Sequence, residues 1–361
     1  MTAEPVAVGT AHTRRRPLAP LRDVGTGVAA VMTKELRGRM RGRRAFVILT
    51  IHLLLLAGFT WMMEALQERT TGAGFGSAFF ASAQIGRELF IAILMLQTLI
   101  VLVLAPASTA GSISLEREKQ TLDLLATTPI SSLAIVLGKL VSALTWVFML
   151  ILASIPITAL VFTFGGVGPE DVVRGYLVLV LTAIGFGSIG LFFSALVKRT
   201  QAATVLNFVT MLGVTGGATF VFVFWSVMTG WQVQPGFGRD ESLLESLQRR
   251  PPEVLLYLNP FVAQVDVICG TETGFGTYCG IIGAVTDRQL VALDQPVQGG
   301  IGPVEPQQFG VQRDSYWPRS AVAWAIVSVV LIVLSVQLVT PTRRWRLRLP
   351  RARRHATGSP G

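Results

Sequence analysis

Six long apolar stretches, none holding a charged residue, punctuate this chain: Ala45–Met63, Leu89–Ala110, Leu140–Phe164, Tyr176–Val197, Ala202–Met228 and Ser320–Thr340. About 20 mostly apolar residues carry a helix across the hydrocarbon of a bilayer, and a buried helix of a soluble domain seldom runs that far without charge. The pattern therefore predicts an all-α integral membrane protein with six transmembrane helices. Residues 64–88 read as a Gly-rich outer loop and residues 165–175 as a short one. Residues 229–319 form the one large non-membrane region, rich in Pro and Gly, with a helical-looking piece at Asp240–Gln248. Within it the apolar piece Val254–Ile268 is too short to cross and is interrupted by Pro260, which suits a re-entrant or interfacial segment.

Composition agrees. Of 361 residues, 51% are apolar and 14% charged, against about 25% charged in soluble domains. Two cysteines are too few for a disulfide-dense scaffold, and so apolar a chain is not a disordered one.

The net charge of +10 matters through its distribution. Residues 1–44 hold 10 Lys and Arg, including Arg37, Arg39, Arg41, Arg43 and Arg44, and the segment after Thr340 holds 7 more. Basic residues stay on the cytoplasmic side, so both termini are expected there, with the segments joining spans 2–3 and 4–5. The cytoplasmic side then carries 22 basic and 6 acidic residues, net +16, and the outer side 9 and 15, net −6. The expected order is a basic cytoplasmic segment (1–44), spans 1–5 (45–228), an extracytoplasmic loop or small domain (229–319), span 6 (320–340) and a basic cytoplasmic tail (341–361). The excess charge is a topology signal and a grip on anionic membrane lipids, not a nucleic-acid surface. The basic lead before span 1 is long for a signal peptide, and the A-x-A at Ala81-Ser82-Ala83 lies far past the apolar end, so span 1 reads as retained.

Little chemistry is written into the chain. There is no H-E-x-x-H and no Walker A pattern, so neither a zincin site nor a P-loop for ATP is expected here. Gly185-Phe-Gly187-Ser-Ile-Gly190 matches G-x-G-x-x-G but sits inside span 4, where small residues serve helix packing. No span holds a carboxylate to pair with His52, which argues against a proton- or ion-driven carrier. Gln97 and Asn207 are polar residues inside spans; they line a path or join helices. Pro106 and Pro156 should kink spans 2 and 3. Cys269 and Cys279, both on the outer side, are disulfide candidates. No catalytic or metal-binding set is expected.

The most informative stretch lies between spans 2 and 3: Ser114-Leu-Glu-Arg-Glu-Lys-Gln-Thr-Leu-Asp-Leu-Leu-Ala-Thr-Thr-Pro129. It reads as a short amphipathic cytoplasmic helix over 114–128. Ser114 is its N-cap, Glu116 and Glu118 suit its N-terminal dipole, Leu115, Leu122 and Leu125 share one face, and Pro129 stops it. Ser131-Ser132 would cap the next helix. Such an element lies on the membrane or fills a groove on a cytoplasmic partner.

The run Glu116–Leu125, then Thr128-Pro129-Ile130, then Leu137-Gly138-Lys139, resembles the cytoplasmic signature of ABC-2 type transporter permeases. Lys34-Glu35-Leu36-Arg37 is similar to the interfacial helix that precedes span 1 in that family, and Leu258-Asn-Pro-Phe261 to a segment before its last span. The resemblance covers most of 31–228 and 320–340; the insertion at about 269–318 departs from it. It implies one permease half of a transporter in a prokaryotic plasma (inner) membrane, an exporter by inclination, working as a homodimer or heterodimer with a second permease. Two copies of a separate ABC ATPase subunit would hold ATP and Mg, with no cofactor on this chain. The helix at 114–128 would couple to the ATPase through Glu116, Arg117, Glu118, Thr121, Leu122, Leu125 and Pro129, with Asp123 a further polar contact. Two other classes stand beside it. One is a membrane enzyme acting on lipid-linked substrates through Asp266, Glu272, Asp287 or Asp294. The other is a non-transporting scaffold or sensor on the same fold.

Overall fold

The computed structural model describes residues 25–29, 31–34, 43–70, 78–120, 131–229, 252–269 and 316–339. Among these, six helices are long and apolar enough to cross a membrane, and no strand occurs. Span 1 is Arg43–Thr70; span 2 is Ala78–Thr109; span 3 is Ser132–Ala153, continued past a turn at Ser154 by Ile155–Ala159 and a 3₁₀ turn, Leu160–Thr163. Span 4 is Pro169–Leu196, span 5 Thr200–Met228 and span 6 Tyr316–Val339. Two further helices matter below: Ser114–Glu118, joined to span 2 by a turn, and Pro260–Cys269 before span 6.

All six predicted spans are present, but most start earlier or run longer than their charge-free stretches. Span 4 begins at Pro169, inside the expected 165–175 loop. Pro at the first helical position costs no hydrogen bond, and the Asp171 carboxylate accepts the Gly168 N–H at 3.0 Å. Span 3 begins at Ser132, capped by Ser131, whose side chain accepts the Ala134 N–H. Lys139, expected in front of the span, therefore lies within its helix.

Span 4 is the axis. Its most apolar window is 67% buried, against 11% in span 5 and 17% in spans 1 and 6. Its small residues explain why. A Cβ at Gly185 would strike the Trp324 indole of span 6, one at Gly187 the Leu144 side chain of span 3, and one at Gly190 the Thr109 hydroxyl and Asn207 of spans 2 and 5. One G-x-G-x-x-G thus seats neighbours on three sides. Without a hydrophobic force between helices in lipid, such close packing holds them together. Phe90, Leu94, Leu144, Leu179, Phe186, Ile189 and Trp324 fill the core around it.

Of the two prolines expected to bend their spans, Pro156 lies at an interruption, whereas the helix of span 2 runs on through Pro106. Pro106 lies inside span 2, and Asn207 Nδ2 of span 5 donates to its carbonyl at 3.0 Å. Pro156 stands in the first turn of Ile155–Ala159, just past the interruption at Ser154. Tyr176 of span 4 bonds both Ser154 and Thr158 there through its hydroxyl, at 3.0 and 2.8 Å.

Val254–Ile268 divides at Pro260 as expected, into a 3₁₀ turn (Glu253–Leu256) and the helix Pro260–Cys269. The latter is sunk among spans 2, 4 and 6, with Ala263, Gln264, Asp266 and Val267 buried. Gln264 Nε2 donates to Gly175 O at 3.1 Å. Asp266 accepts the Trp317 N–H at 2.8 Å, satisfying a first-turn donor of span 6. Asn259 caps the helix by accepting the Phe261 N–H, and its amide donates to Thr215 O and Thr219 Oγ1. Thr215 lies in a π-helical turn, Gly213–Gly217, within span 5. The Leu258-Asn-Pro-Phe261 motif is thus a joint: Asn holds span 5, and Pro opens the helix that holds span 6. Asp240–Gln248, Glu272, Asp287 and Asp294 lie outside the described residues.

Candidate functional site

The expected coupling segment opens where span 2 leaves its helix. A turn at residues 110–113 bends the chain, and Ser114–Glu118 follows as a single helical turn. Ser114 is not the cap. It is the first helical residue, buried, with its hydroxyl bonded to Ala110 O and to Thr200 Oγ1. Nor does the helix run unbroken through 114–128. It ends at Glu118, because Gln120 takes a left-handed backbone, φ 56°. Thr121, Leu122, Asp123, Leu125 and Pro129 lie outside the described residues.

What the segment touches is more specific than its amphipathic pattern indicates. Ser194 Oγ, at the end of span 4, accepts both the Ile113 and Ser114 N–H groups at 2.9 and 3.0 Å. These donors have no partner within a helix. Arg117 donates to Ala195 O at 3.1 Å. Glu118 accepts the Thr200 N–H at 2.7 Å, placing a carboxylate at the N-terminus of span 5, where the helix dipole favours negative charge. Glu116 pairs with Lys139 of span 3 at 2.7 Å, and Lys139 also donates to Ser112 O at 3.0 Å. Lys139 is only 1% exposed.

Three charged residues assigned to partner contact thus already have partners within the chain. Glu116 and Arg117 are half-buried, whereas Leu115, Glu118, Lys119 and Gln120 remain exposed. The charge pattern alone puts Lys139 among the cytoplasmic basic residues in front of span 3, outside the site. The available signal was a lone basic residue seven positions into a helix capped by Ser131, with an acidic run just across the connection. Ser194 and Thr200 had no such signal, since Ser and Thr are common in membrane helices and usually bond to their own backbone.

The same face receives the N-terminal helical residues 25–29 and 31–34. Val31 is buried against Gly138, where a Cβ would come within 2.8 Å of it. Glu35–Arg37 lie outside the described residues.

The remaining candidates are scattered. Gln97 and Asn207 are both buried within the bundle, with Asn207 joining spans 5 and 2. Cys269 is buried and disulfide-bonded; Cys279 lies outside the described residues. Asp266 is fully buried and holds span 6. No group of His, Cys, Asp or Glu able to hold a metal occurs among the described residues.

Residues 29–271 match the family described as ABC-2 family transporter protein. The matched range takes in spans 1–5 and the helix Pro260–Cys269 and stops before span 6. No curated protein matches the chain.

Proposed function

The chain belongs to the ABC-2 family of transporter permeases, and from that premise we propose that it is the membrane subunit of an ATP-binding-cassette exporter driven by a separate ATPase. The chain is a multi-pass membrane protein, with six apolar helices long enough to cross a membrane among the described residues. We place it in a prokaryotic plasma membrane with both termini in the cytoplasm. The charge asymmetry of +16 against −6 supports that orientation, as does an even number of spans. ATP and Mg sit on the partner, in two copies, because the chain carries no P-loop pattern. A second permease, identical or related, completes the unit. The apolar faces of spans 1 and 5, with Phe46, Trp61, Val205, Leu212, Phe220 and Val227 exposed, suit lipid or that second permease.

The observation that carries the reading is the wiring of residues 110–120. They continue span 2, bond to spans 3, 4 and 5, and lead directly into 121–130. A load applied at 121–130 therefore reaches four of the six spans. A loosely attached loop would dissipate it.

Docking falls to Leu122 and Leu125, with Leu115, Glu118 and Lys119 at the edge. Buried apolar anchors of an interface typically cost more than 1–2 kcal/mol when removed, and rim charges less. Leu122→Asp should abolish co-purification of the ATPase while leaving membrane insertion and thermal stability unchanged. Co-purification at wild-type stoichiometry would overturn the docking assignment. The enzyme alternative finds no support in Asp266, whose carboxylate is enclosed and engaged by the Trp317 N–H.

A further inference from the structure

Lys139 and Glu116 invite an explanation beyond stability. A buried ion pair is often no more stabilising than a well-packed apolar pair of the same volume, because both charges lose their water. It differs in being directional. Apolar surfaces slide past one another at little cost, whereas a charge-assisted hydrogen bond weakens steeply with distance and angle. Lys139 holds the segment at two points, Glu116 Oε1 at 2.7 Å and Ser112 O at 3.0 Å. Two attachments one helical turn apart fix rotation as well as position. The residue sits in the second turn of span 3 and is almost completely enclosed.

We propose that Lys139 is a positioning residue for coupling: through Glu116 and Ser112 it transmits displacement of residues 110–120 to span 3. This rests on the transporter reading above. The covalent path from 120 to span 3 runs through residues 121–130, so the Lys139 contact is a shorter mechanical route. The helix Ser132–Ala153 then carries the motion to the turn at Ser154, which Tyr176 of span 4 braces, and on to Leu160 beyond it.

The test uses the full chain co-purified with its ATPase in lipid nanodiscs, with native cysteines blocked. The reporter is Leu160→Cys, an exposed position. Its labelling by a water-soluble maleimide is compared with and without ATP plus vanadate. In the otherwise unaltered chain the rate should change on adding nucleotide. In Lys139→Met/Glu116→Leu, an apolar replacement expected to fold, the ATPase should remain bound. The nucleotide-dependent change should fall about fivefold or more, the lower end of ordinary coupling factors. Lys139→Arg, which keeps the charge and the donors, should retain most of it. If the double variant does not survive extraction, Glu116→Gln, which keeps an acceptor but not the charge, is read instead and should show a smaller loss in the same direction.

A wild-type change in the double variant, or in Glu116→Gln, would overturn the proposal and reduce the pair to a structural contact. Absence of a co-purifying ATPase, or of any nucleotide effect in the unaltered chain, would instead defeat the transporter reading itself.

Discussion

Gly185→Ala tests whether span 4 is the packing axis. The added Cβ would land on the Trp324 ring, within 3.0 Å of three indole carbons, where about 3.5–4.0 Å is the optimum carbon separation. The indole is 1% exposed and packs on Phe186 with ring centroids 4.6 Å apart, so it has little room to withdraw. Overpacking of this kind costs about 1–3 kcal/mol. Replacing Gly by Ala in a helix returns up to about 1 kcal/mol of backbone preference, so a control is needed. Gly58→Ala supplies it, since a Cβ there meets nothing within 4 Å. The two variants should differ by about 1–3 kcal/mol, or roughly 1–4 °C in Tm for a chain of this length. Thermal unfolding in detergent or nanodiscs reads the difference. In the Trp324→Leu background the obstruction is gone, and Gly185→Ala should cost about 1–3 kcal/mol less than in the parent chain, a coupling expected of residues in contact. Equal Tm values for Gly185→Ala and Gly58→Ala, or strict additivity with Trp324→Leu, would refute the packing assignment.

Asn259→Ala removes the cap of Pro260–Cys269 and both amide bonds to span 5. It should destabilise by about 1–3 kcal/mol, because Thr215 O in the π-helical turn is left without that donor; an unchanged Tm would separate the motif from stability. Cys269 and Cys279 are proposed to pair with each other. Maleimide labelling of unreduced, denatured protein should find no free thiol, and two labelled cysteines per chain would exclude the bridge.

Local composition determined most of the architecture. Spans 1–6 were legible because the bilayer demands one simple property, an uncharged apolar run long enough to cross. The break at Pro260, the Ser131 cap and the packing use of Gly185, Gly187 and Gly190 followed from equally local rules about backbone geometry and side-chain size. The family resemblance came from a short run of residues between spans 2 and 3. What the sequence could not assign was partnership. Glu116, Arg117 and Glu118 read as an exposed acidic helix start because periodicity describes one helix at a time. Only the packed bundle brings Lys139, Ala195 and Thr200, distant in sequence, into hydrogen-bonding reach of those three side chains. Asp266 likewise reads as a candidate acid of the outer region until span 6 presents the Trp317 N–H to it. Polar groups within a membrane bundle must find partners, and one-dimensional pattern carries no distance information to say which. The tertiary structure makes that choice, and it turns the charges predicted to face a partner into the bonds that tie the segment to spans 3, 4 and 5.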